Sequence, residues 1–279
     1  MVVYNIANQL KLTKQHNSEV TMKTSIVIGI GELGSVFATG LLKMGHLVVP
    51  VLRSNKFAEI AIMYPKPDSV WVCVAEKDIH TVLATLPNSW KTRLVLIQNE
   101  LLPNDWQQHN ISNPTILSVW FEKKTGKAPQ IVLPSVVYGF LANEVYDTYT
   151  KLGLPIRQLS SASELLFELI LKNVYIQTTN ICGLAIGGNT QQLVENYSEL
   201  MSEVVEDLIL LQEKLTQYTF DHDKIMERFV TACYSDPNHS CVGRNAKARL
   251  KRVISLAKQY HLTMPTVSDI AAQVNAETV

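Results

Sequence analysis

The sequence lacks several features that would assign it to a class at once. Its four cysteines are scattered and form no C-x-x-C pair, the positions being Cys73, Cys182, Cys233 and Cys241. This pattern argues against a disulfide framework and favours reduced thiols in an intracellular protein. No metal site is predicted. No apolar run reaches the roughly 18 to 20 residues that a membrane span needs.

A surplus of charge of one sign is also missing. The 25 basic residues equal the 25 acidic ones, and the pI is about 7.0. No global field therefore draws the chain to nucleic acid or to an anionic membrane, and a small-molecule partner is expected instead. Residues 1–22 have neither a basic n-region nor a continuous apolar h-region, so we interpret them as a disordered or adventitious leader, with Met22 as the natural start. The protein is expected to be cytoplasmic.

What the sequence does contain is a large apolar fraction, 47% of 279 residues, which suits two domains. In the first half, short β-branched runs alternate with helix-compatible segments, which predicts a doubly wound parallel α/β sheet. The predicted strands are Val27–Ile30, His46–Arg53, Ser69–Ala75 and Arg93–Gln98. A hairpin over 115–140 is expected to cap the sheet edge, and a helix over 144–152 and a strand over 155–159 to close the domain.

The pattern changes near Ser163, after which apolar residues recur at three- and four-residue spacing. This spacing predicts an all-helical second domain. We place a dinucleotide-binding domain at 23–161 and a helical domain, for substrate binding or dimerisation, at 162–279. The protein is expected to be a monomer or a homodimer.

The stretch IVIGIGELGS contains a G-x-G-x-x-G motif at Gly29, Gly31 and Gly34, between an apolar strand and an amphipathic helix. In a dinucleotide-binding turn these glycines permit the tight turn, the approach of a pyrophosphate and close packing of the helix on the sheet. The first N–H groups of the helix, at Glu32 and Leu33, would face the phosphates. The alternative is a sharp turn that binds nothing.

The second strand ends at Arg53, where an NAD enzyme usually has an acidic residue for the ribose. Arg53, Ser54, Asn55 and Lys56 offer a 2′-phosphate a guanidinium, polar groups and an ammonium, which favours NADP over NAD. A solvated strand end is the alternative. Pro50 within this strand predicts a bulge or an early end to pairing. The short stretch between Arg53 and Val70 predicts a reduced adenine side of the pocket.

Several segments together resemble the ketopantoate reductase family. They occur in order from Thr24 to the C-terminus: GIGELG, VLR, LIQNE, ELILKNVYIQTTN, GRNAKARL and HLTMP. The resemblance implies a 6-phosphogluconate dehydrogenase-like fold, in which a Rossmann domain is joined to a helical domain, and NADPH-dependent reduction of ketopantoate to pantoate in pantothenate biosynthesis. It assigns Arg53 to the 2′-phosphate and Asn99 to the nicotinamide and substrate, with Glu100 where the family has glycine.

The catalytic half departs from the family pattern K-x-x-x-N-x-x-x-N. Laid on Asn173, the pattern puts its lysine at Leu169 and its second asparagine at Gln177. If the pattern is moved one residue earlier, its lysine position falls on Glu168 and its first asparagine position falls on Lys172. Lys172 is nevertheless the candidate proton donor, beside Asn173 as an orienting residue, and the alternative is a lysine at the helix rim with its head in water. The family's lysine after its fourth strand is replaced by Glu76 beside Lys77.

The family's G-R-x-T-E-I-D segment also differs. Counted forward from Arg244, its substrate-binding glutamate becomes Lys247, and counted back from Pro265 it becomes Asn245. Ser235 matches a family substrate serine under the first count. Lys247 would favour a substrate with an extra carboxylate or phosphate, or it is one cation of a solvated helix face. His239 and Asp236 share a predicted loop and are expected to be exposed.

Two hypotheses follow. In the first, the chain is an NADP-dependent oxidoreductase of a small 2-oxo acid, with Lys172 or a nearby cation as the acid and with Asn99 and Asn173 orienting the substrate. In the second, it is a catalytically reduced homologue that binds a dinucleotide and serves as a sensor or an assembly subunit.

Overall fold

A seven-stranded sheet forms the first half of the protein. A computed structural model describes residues 22–276, so the predicted leader lies, apart from Met22, outside the described residues. The strands of this half are β1 (Thr24–Ile28), β2 (Leu47–Val51), β3 (Ser69–Val72), β4 (Leu94–Leu96), β5 (Thr115–Ser118), β6 (Phe121–Glu122), β7 (Gln130–Ile131), β8 (Ser135–Tyr138) and β9 (Ile156–Gln158). All of them except β6 and β7 form the sheet, in the order β2-β1-β3-β4-β5-β8-β9, in which β5 and β8 pair antiparallel and all other neighbours pair parallel.

Helices cover both faces of this sheet. Successive strand residues alternate between two apolar layers: Ile26 and Ile28 pack on one face of the sheet and Val27 on the other. This is the pattern of a sheet buried on both sides, and it confirms the predicted doubly wound architecture. The helices are α1 (Glu32–Lys43), α2 (Phe57–Met63), α3 (Ile79–Thr85), α4 (Pro103–Gln107) and α5 (Ala142–Leu152), with 3-10 turns at Glu76–Asp78 and Asn88–Arg93.

Pro50 does not produce the predicted bulge. Strand β2 pairs with β1 in continuous register from Leu47 to Val51, with Pro50 opposite Val27. The expectation was wrong because β2 is an edge strand, where a missing N–H need not remove a ladder bond. After the seven-residue helix α2 the chain returns to the other side of β1, so no strand lies outside β2 among residues 22–276.

The predicted hairpin is present but lies inside the sheet. Its arms are β5 and β8, and β9 covers the outer side of β8. The expectation that it caps the edge was therefore wrong, because the strand that closes the domain pairs beyond it. Between its arms the chain forms a second small ladder, β6 with β7, which carries the loop that contains Thr125.

The second half is helical. Its helices are α6 (Ala162–Ile186), α7 (Thr190–Asn196), α8 (Ser198–Thr216), α9 (His222–Ser235), α10 (Ala246–Gln259) and α11 (Pro265–Ala276). Ser161 caps α6 by accepting a hydrogen bond from the Glu164 N–H. The first turns of α6 pack on the sheet through Leu165 and Leu169, whereas later residues such as Val174 enter the helical core. Within the described part of the chain, no helix is long and apolar enough to cross a membrane.

Candidate active site

The glycine turn after β1 has the geometry that the motif predicts. Gly29 has φ +88°, and a Cβ there would lie 3.0 Å from the Cys73 carbonyl oxygen. A Cβ on Gly34 would lie 1.9 Å from the Gly29 oxygen, so α1 can approach the turn only with glycine at that position. A Cβ on Gly31, in contrast, would meet nothing within 4 Å. The turn therefore leaves open space at the N-terminus of α1, as a pyrophosphate site requires.

A cavity of about 790 Å³ adjoins this turn. It runs between the ends of β1, β2 and β3, and it is lined by Gly31, Arg53, Lys56, Phe57 and Asp78, among others. The short stretch after Arg53, predicted to reduce the adenine side of a pocket, therefore still leaves a cavity open here, with the short helix α2 as one wall. Its volume falls in the range of ligand pockets, about 300 to 1,000 Å³.

The cations predicted to bind a 2′-phosphate lie at the mouth of this pocket. Arg53 is 87% exposed, and its Nη2 lies 2.9 Å from Asp78 Oδ2. Lys56 is exposed and lies 3.3 Å from Glu59. Asn55 accepts a hydrogen bond from the Leu52 N–H, and Ser54 is exposed outside the pocket lining. Arg53 is thus held in place by one carboxylate and is otherwise open to solvent.

Side chains of the first turn of α1 point away from the glycine turn. The Glu32 carboxylate accepts hydrogen bonds from the N–H and the hydroxyl of Thr125 and lies 3.5 Å from Arg244. The Thr125 hydroxyl, with smaller help from its N–H and from Arg244, lowers the pKa of Glu32. Leu33 packs on the sheet-face core. Glu32 and Leu33 therefore offer a phosphate their backbone N–H groups and not their side chains.

A second cavity, of about 290 Å³, lies between the sheet and the helical half. Lys172 lines it, is only 6% exposed, and donates from Nζ to the Val119 carbonyl. Its Nζ also lies 5.7 Å from the centre of the Trp120 ring. Burial lowers the pKa of Lys172 to about 7, while Glu76 acts in the opposite direction. The alternative of a lysine head in bulk water was wrong, because α6 is covered here by the segment that follows β5.

Three asparagines line the same cavity as Lys172: Asn99, after β4, Asn180, two turns further along α6, and Asn245, just before α10. The 3-10 turn Glu76–Asp78 links the two cavities, since Glu76 lines this one and Asp78 lines the other. Asn173 lies elsewhere: it is buried and donates to Gln212 Oε1 in the helical core. The structure therefore brings Lys172, Asn99 and Asn180 together and leaves Asn173 outside.

Glu100 forms an ion-pair network with α10. Its backbone has φ +59°, a conformation that favours glycine, and its carboxylate lies 2.6 Å from Arg249 Nε. Arg252 also pairs with Glu100, and Arg249 Nη2 lies 2.7 Å from Glu76. Gln177 donates to the same Glu100 carboxylate. The resemblance to the family did not identify Arg249 as a residue of the site. The sequence feature that indicates such a partner is the presence of two acids that depart from the family pattern, Glu76 and Glu100, together with a run of basic residues later in the chain.

Neither a scan against protein-family models nor a comparison with curated proteins gives a match. Solved structures do match. A 2-dehydropantoate 2-reductase from Methylococcus capsulatus superposes with TM-score 0.65 at 13% identity, covering 91% of this chain and 96% of that one. A probable 2-dehydropantoate 2-reductase from Bacillus subtilis gives TM-score 0.62 at 16% identity, covering 91% and 99%. The chain has the ketopantoate reductase fold. A D-mandelate dehydrogenase with NADH also matches, with TM-score 0.61, 14% identity and coverage of 92% and 98%.

Two residues that the resemblance selected lie outside the cavities of this ketopantoate reductase fold. Ser235 is exposed at the end of α9 and donates to the Thr231 carbonyl, and Lys247 is exposed on α10. Asn245, the position given by counting back from Pro265, does line the cavity with Lys172.

Asp236 is buried and His239 is only partly exposed, whereas the sequence predicts that both are exposed. Asp236 is 6% exposed, and His239 lines the cavity that contains Lys172. The prediction was wrong because Gln130, from the ladder between the arms of the hairpin, covers this loop and donates to both Asp236 oxygens. The sequence gives no signal for this contact between distant segments. Within residues 22–276, no group of three or more His, Cys, Asp or Glu side chains could hold a metal ion.

Proposed function

We propose that the protein is an NADPH-dependent reductase of a small 2-oxo acid. The observation that carries the proposal is a buried lysine of lowered pKa, Lys172, in a cavity next to a pocket with a dinucleotide-type glycine turn. Perturbed titratable groups in such clefts mark candidate catalytic sites. The fold supports the same class, since its solved neighbours include 2-dehydropantoate 2-reductases and a D-mandelate dehydrogenase with NADH.

The glycine turn and its pocket fit a dinucleotide. The open space at Gly31 would take the pyrophosphate, the N–H groups at 32 and 33 would donate to it, and Arg53 would meet a 2′-phosphate. When bound, NADPH would supply the hydride to the carbonyl carbon. The cation at Arg53, where an NAD enzyme has an acid, supports NADP as the cofactor.

Lys172 is the proposed proton donor. As the ketone is reduced, negative charge builds on its oxygen, and an ammonium group in a cavity of low dielectric stabilises that charge and delivers a proton. A pKa near 7 suits this role because both protonation states are accessible near neutral pH. After the transfer the lysine is neutral, the form that burial favours.

Asn99 and Asn180 are the proposed orienting residues. Placed on Lys172, the family pattern K-x-x-x-N-x-x-x-N puts its asparagines at Ile176 and Asn180, and all three of these residues line the cavity. Asn180 is itself fixed, since its Oδ1 accepts a hydrogen bond of 2.8 Å from Arg249 Nη1. The two alignments considered in the sequence analysis put Leu169 or Glu168 at the lysine position, and this alignment replaces them. Asn180 accordingly takes the orienting role that was given to Asn173.

The experiment is NADPH oxidation with a panel of 2-oxo acids, namely ketopantoate, 2-oxoisovalerate and phenylglyoxylate, together with a thermal shift on addition of NADP⁺. We expect a shift and turnover of at least one acid. A shift without turnover would favour the second hypothesis, a dinucleotide-binding protein without catalysis, and the absence of both would overturn the redox assignment.

A further inference from the structure

His239, which lines the cavity with Lys172, lies next to the buried carboxylate of Asp236. His239 Nδ1 lies 3.2 Å from Asp236 Oδ2. The Asp236 carboxylate also accepts hydrogen bonds of 2.9 and 3.1 Å from Gln130 Nε2, and its backbone carbonyl accepts one from the Thr190 hydroxyl. Contacts from the ladder and from α7 therefore fix Asp236, and Asp236 fixes the orientation of the imidazole.

This arrangement leaves one imidazole nitrogen available. Because Asp236 takes the Nδ1–H, the other nitrogen, Nε2, is free to interact with a ligand. No donor or acceptor within residues 22–276 contacts Nε2. His239 is partly exposed, at 27%, and lines the cavity. It can therefore offer an N–H to a molecule bound beside Lys172.

The other cations of the cavity already have partners. All three nitrogens of Arg249 are used, by Glu100, Glu76 and Asn180, at 2.6, 2.7 and 2.8 Å. Arg244 lies at the mouth, 88% exposed and near Glu32, so solvent screens it. In the proposed reaction, Lys172 interacts with the ketone oxygen and donates its proton to it. A 2-oxo acid carries its carboxylate on the carbon next to that ketone, so the anion needs its own partner close by.

We infer that His239, held by Asp236, binds the carboxylate of the 2-oxo acid. This inference rests on the proposed function and names the residue that recognises the acid. The Nδ1–H is donated to Asp236 and the Nε2–H to the substrate carboxylate, so the ring binds as the imidazolium. Asp236 is a positioning residue that does not touch the substrate.

The test compares an acid with its uncharged counterpart, 2-oxoisovalerate and its methyl ester, as substrates with NADPH. We expect wild type to prefer the acid in kcat/KM by about tenfold to a hundredfold. His239→Ala and His239→Gln should bring that preference close to one by lowering kcat/KM for the acid much more than for the ester, and Asp236→Asn should reduce the preference in the same direction. A matched control is His80→Ala, since His80 also lies beside an aspartate, Asp105, at 3.4 Å, but outside both cavities.

A preference for the acid that persists in both His239 variants, with wild-type thermal stability and NADPH affinity, would overturn the inference. So would a wild type that reduces acid and ester equally well. If wild type reduces neither, the proposed function fails, and calorimetry with oxamate, an unreactive 2-oxo acid analogue, on the NADP⁺ complex decides the inference by itself. A tenfold weaker oxamate affinity in His239→Ala would support it, and an equal affinity would overturn it.

Discussion

Arg249 and Glu100 form an ion pair that joins the helical half to the sheet, with Nε 2.6 Å from Oε1 and both side chains less than a tenth exposed. Glu100 occupies a backbone conformation that favours glycine, φ +59°. The carboxylate that departs from the family pattern is therefore matched by a guanidinium from α10. The pair fixes α10 against the loop that contains Asn99.

Glu100→Gln should destabilise the protein because it leaves one nitrogen of a buried guanidinium without its charged partner. The expected loss is about 2 to 3 kcal/mol in the free energy of unfolding, since Glu76 remains as a second partner of Arg249. Urea unfolding measures it. Glu59→Gln, which removes an exposed ion pair with Lys56, is the control and should change stability by less than about 0.5 kcal/mol. Equal effects of the two substitutions would contradict the role given to Glu100.

Two alanine substitutions in the glycine turn should have opposite consequences. Gly34→Ala places a Cβ 1.9 Å from the Gly29 oxygen, so it should reduce the yield of folded protein or lower its melting temperature. Gly31→Ala meets no protein atom within 4 Å, so it should fold normally and lose at least about tenfold in NADPH affinity, because the methyl group takes the space of the pyrophosphate. Calorimetry and thermal unfolding check both. Unchanged NADPH affinity in Gly31→Ala would argue against a phosphate site at the turn.

Arg53 should select NADPH over NADH. Arg53→Gln removes the guanidinium proposed to face the 2′-phosphate, and we expect NADPH affinity to fall about tenfold to a hundredfold while NADH affinity is unchanged. Lys66→Ala is the matched control, since Lys66 is exposed and lies outside the pocket lining. Equal losses for the two nucleotides would show that Arg53 does not recognise the extra phosphate.

The reaction should slow as the pH rises above about 7. Burial lowers the pKa of Lys172 to about 7, and only its protonated form can donate to the ketone oxygen. We therefore expect kcat/KM to be level below that pH and to fall about tenfold per pH unit above it. Stability should change in the opposite direction: the unfolded chain keeps this proton up to about 10.5, so wild type should gain stability relative to Lys172→Met between pH 7 and 9. A rate that increases through this range would contradict the proposed donor.

The sequence predicts local features of this protein better than contacts between distant segments. The glycine turn and the start of α6 near Ser161 were predictable because each depends on neighbouring residues. Strand β2, predicted to end at Arg53, ends two residues earlier, at Val51. The position of Pro50 in an edge strand was not predictable, because it depends on the side of β1 on which β3 pairs.

The surroundings of the candidate site were also not predictable from local sequence patterns. The environment of Lys172 is set by Val119 and Trp120, about fifty residues earlier in the chain. The burial of Asp236 depends on Gln130, more than a hundred residues away. Family spacing assigned roles to Ser235 and Lys247, which lie on exposed helix surfaces, and it did not identify His239.

The most direct test of the central claim is single-turnover oxidation of bound NADPH by wild type and by Lys172→Ala, with whichever 2-oxo acid of the panel wild type reduces. Lys172→Ala should bind NADPH as wild type does and reduce the acid about 10² to 10⁴ times more slowly, because the ketone oxygen loses its proton donor. Equal rates in the two proteins, at equal NADPH affinity, would contradict the assignment of Lys172 as the acid.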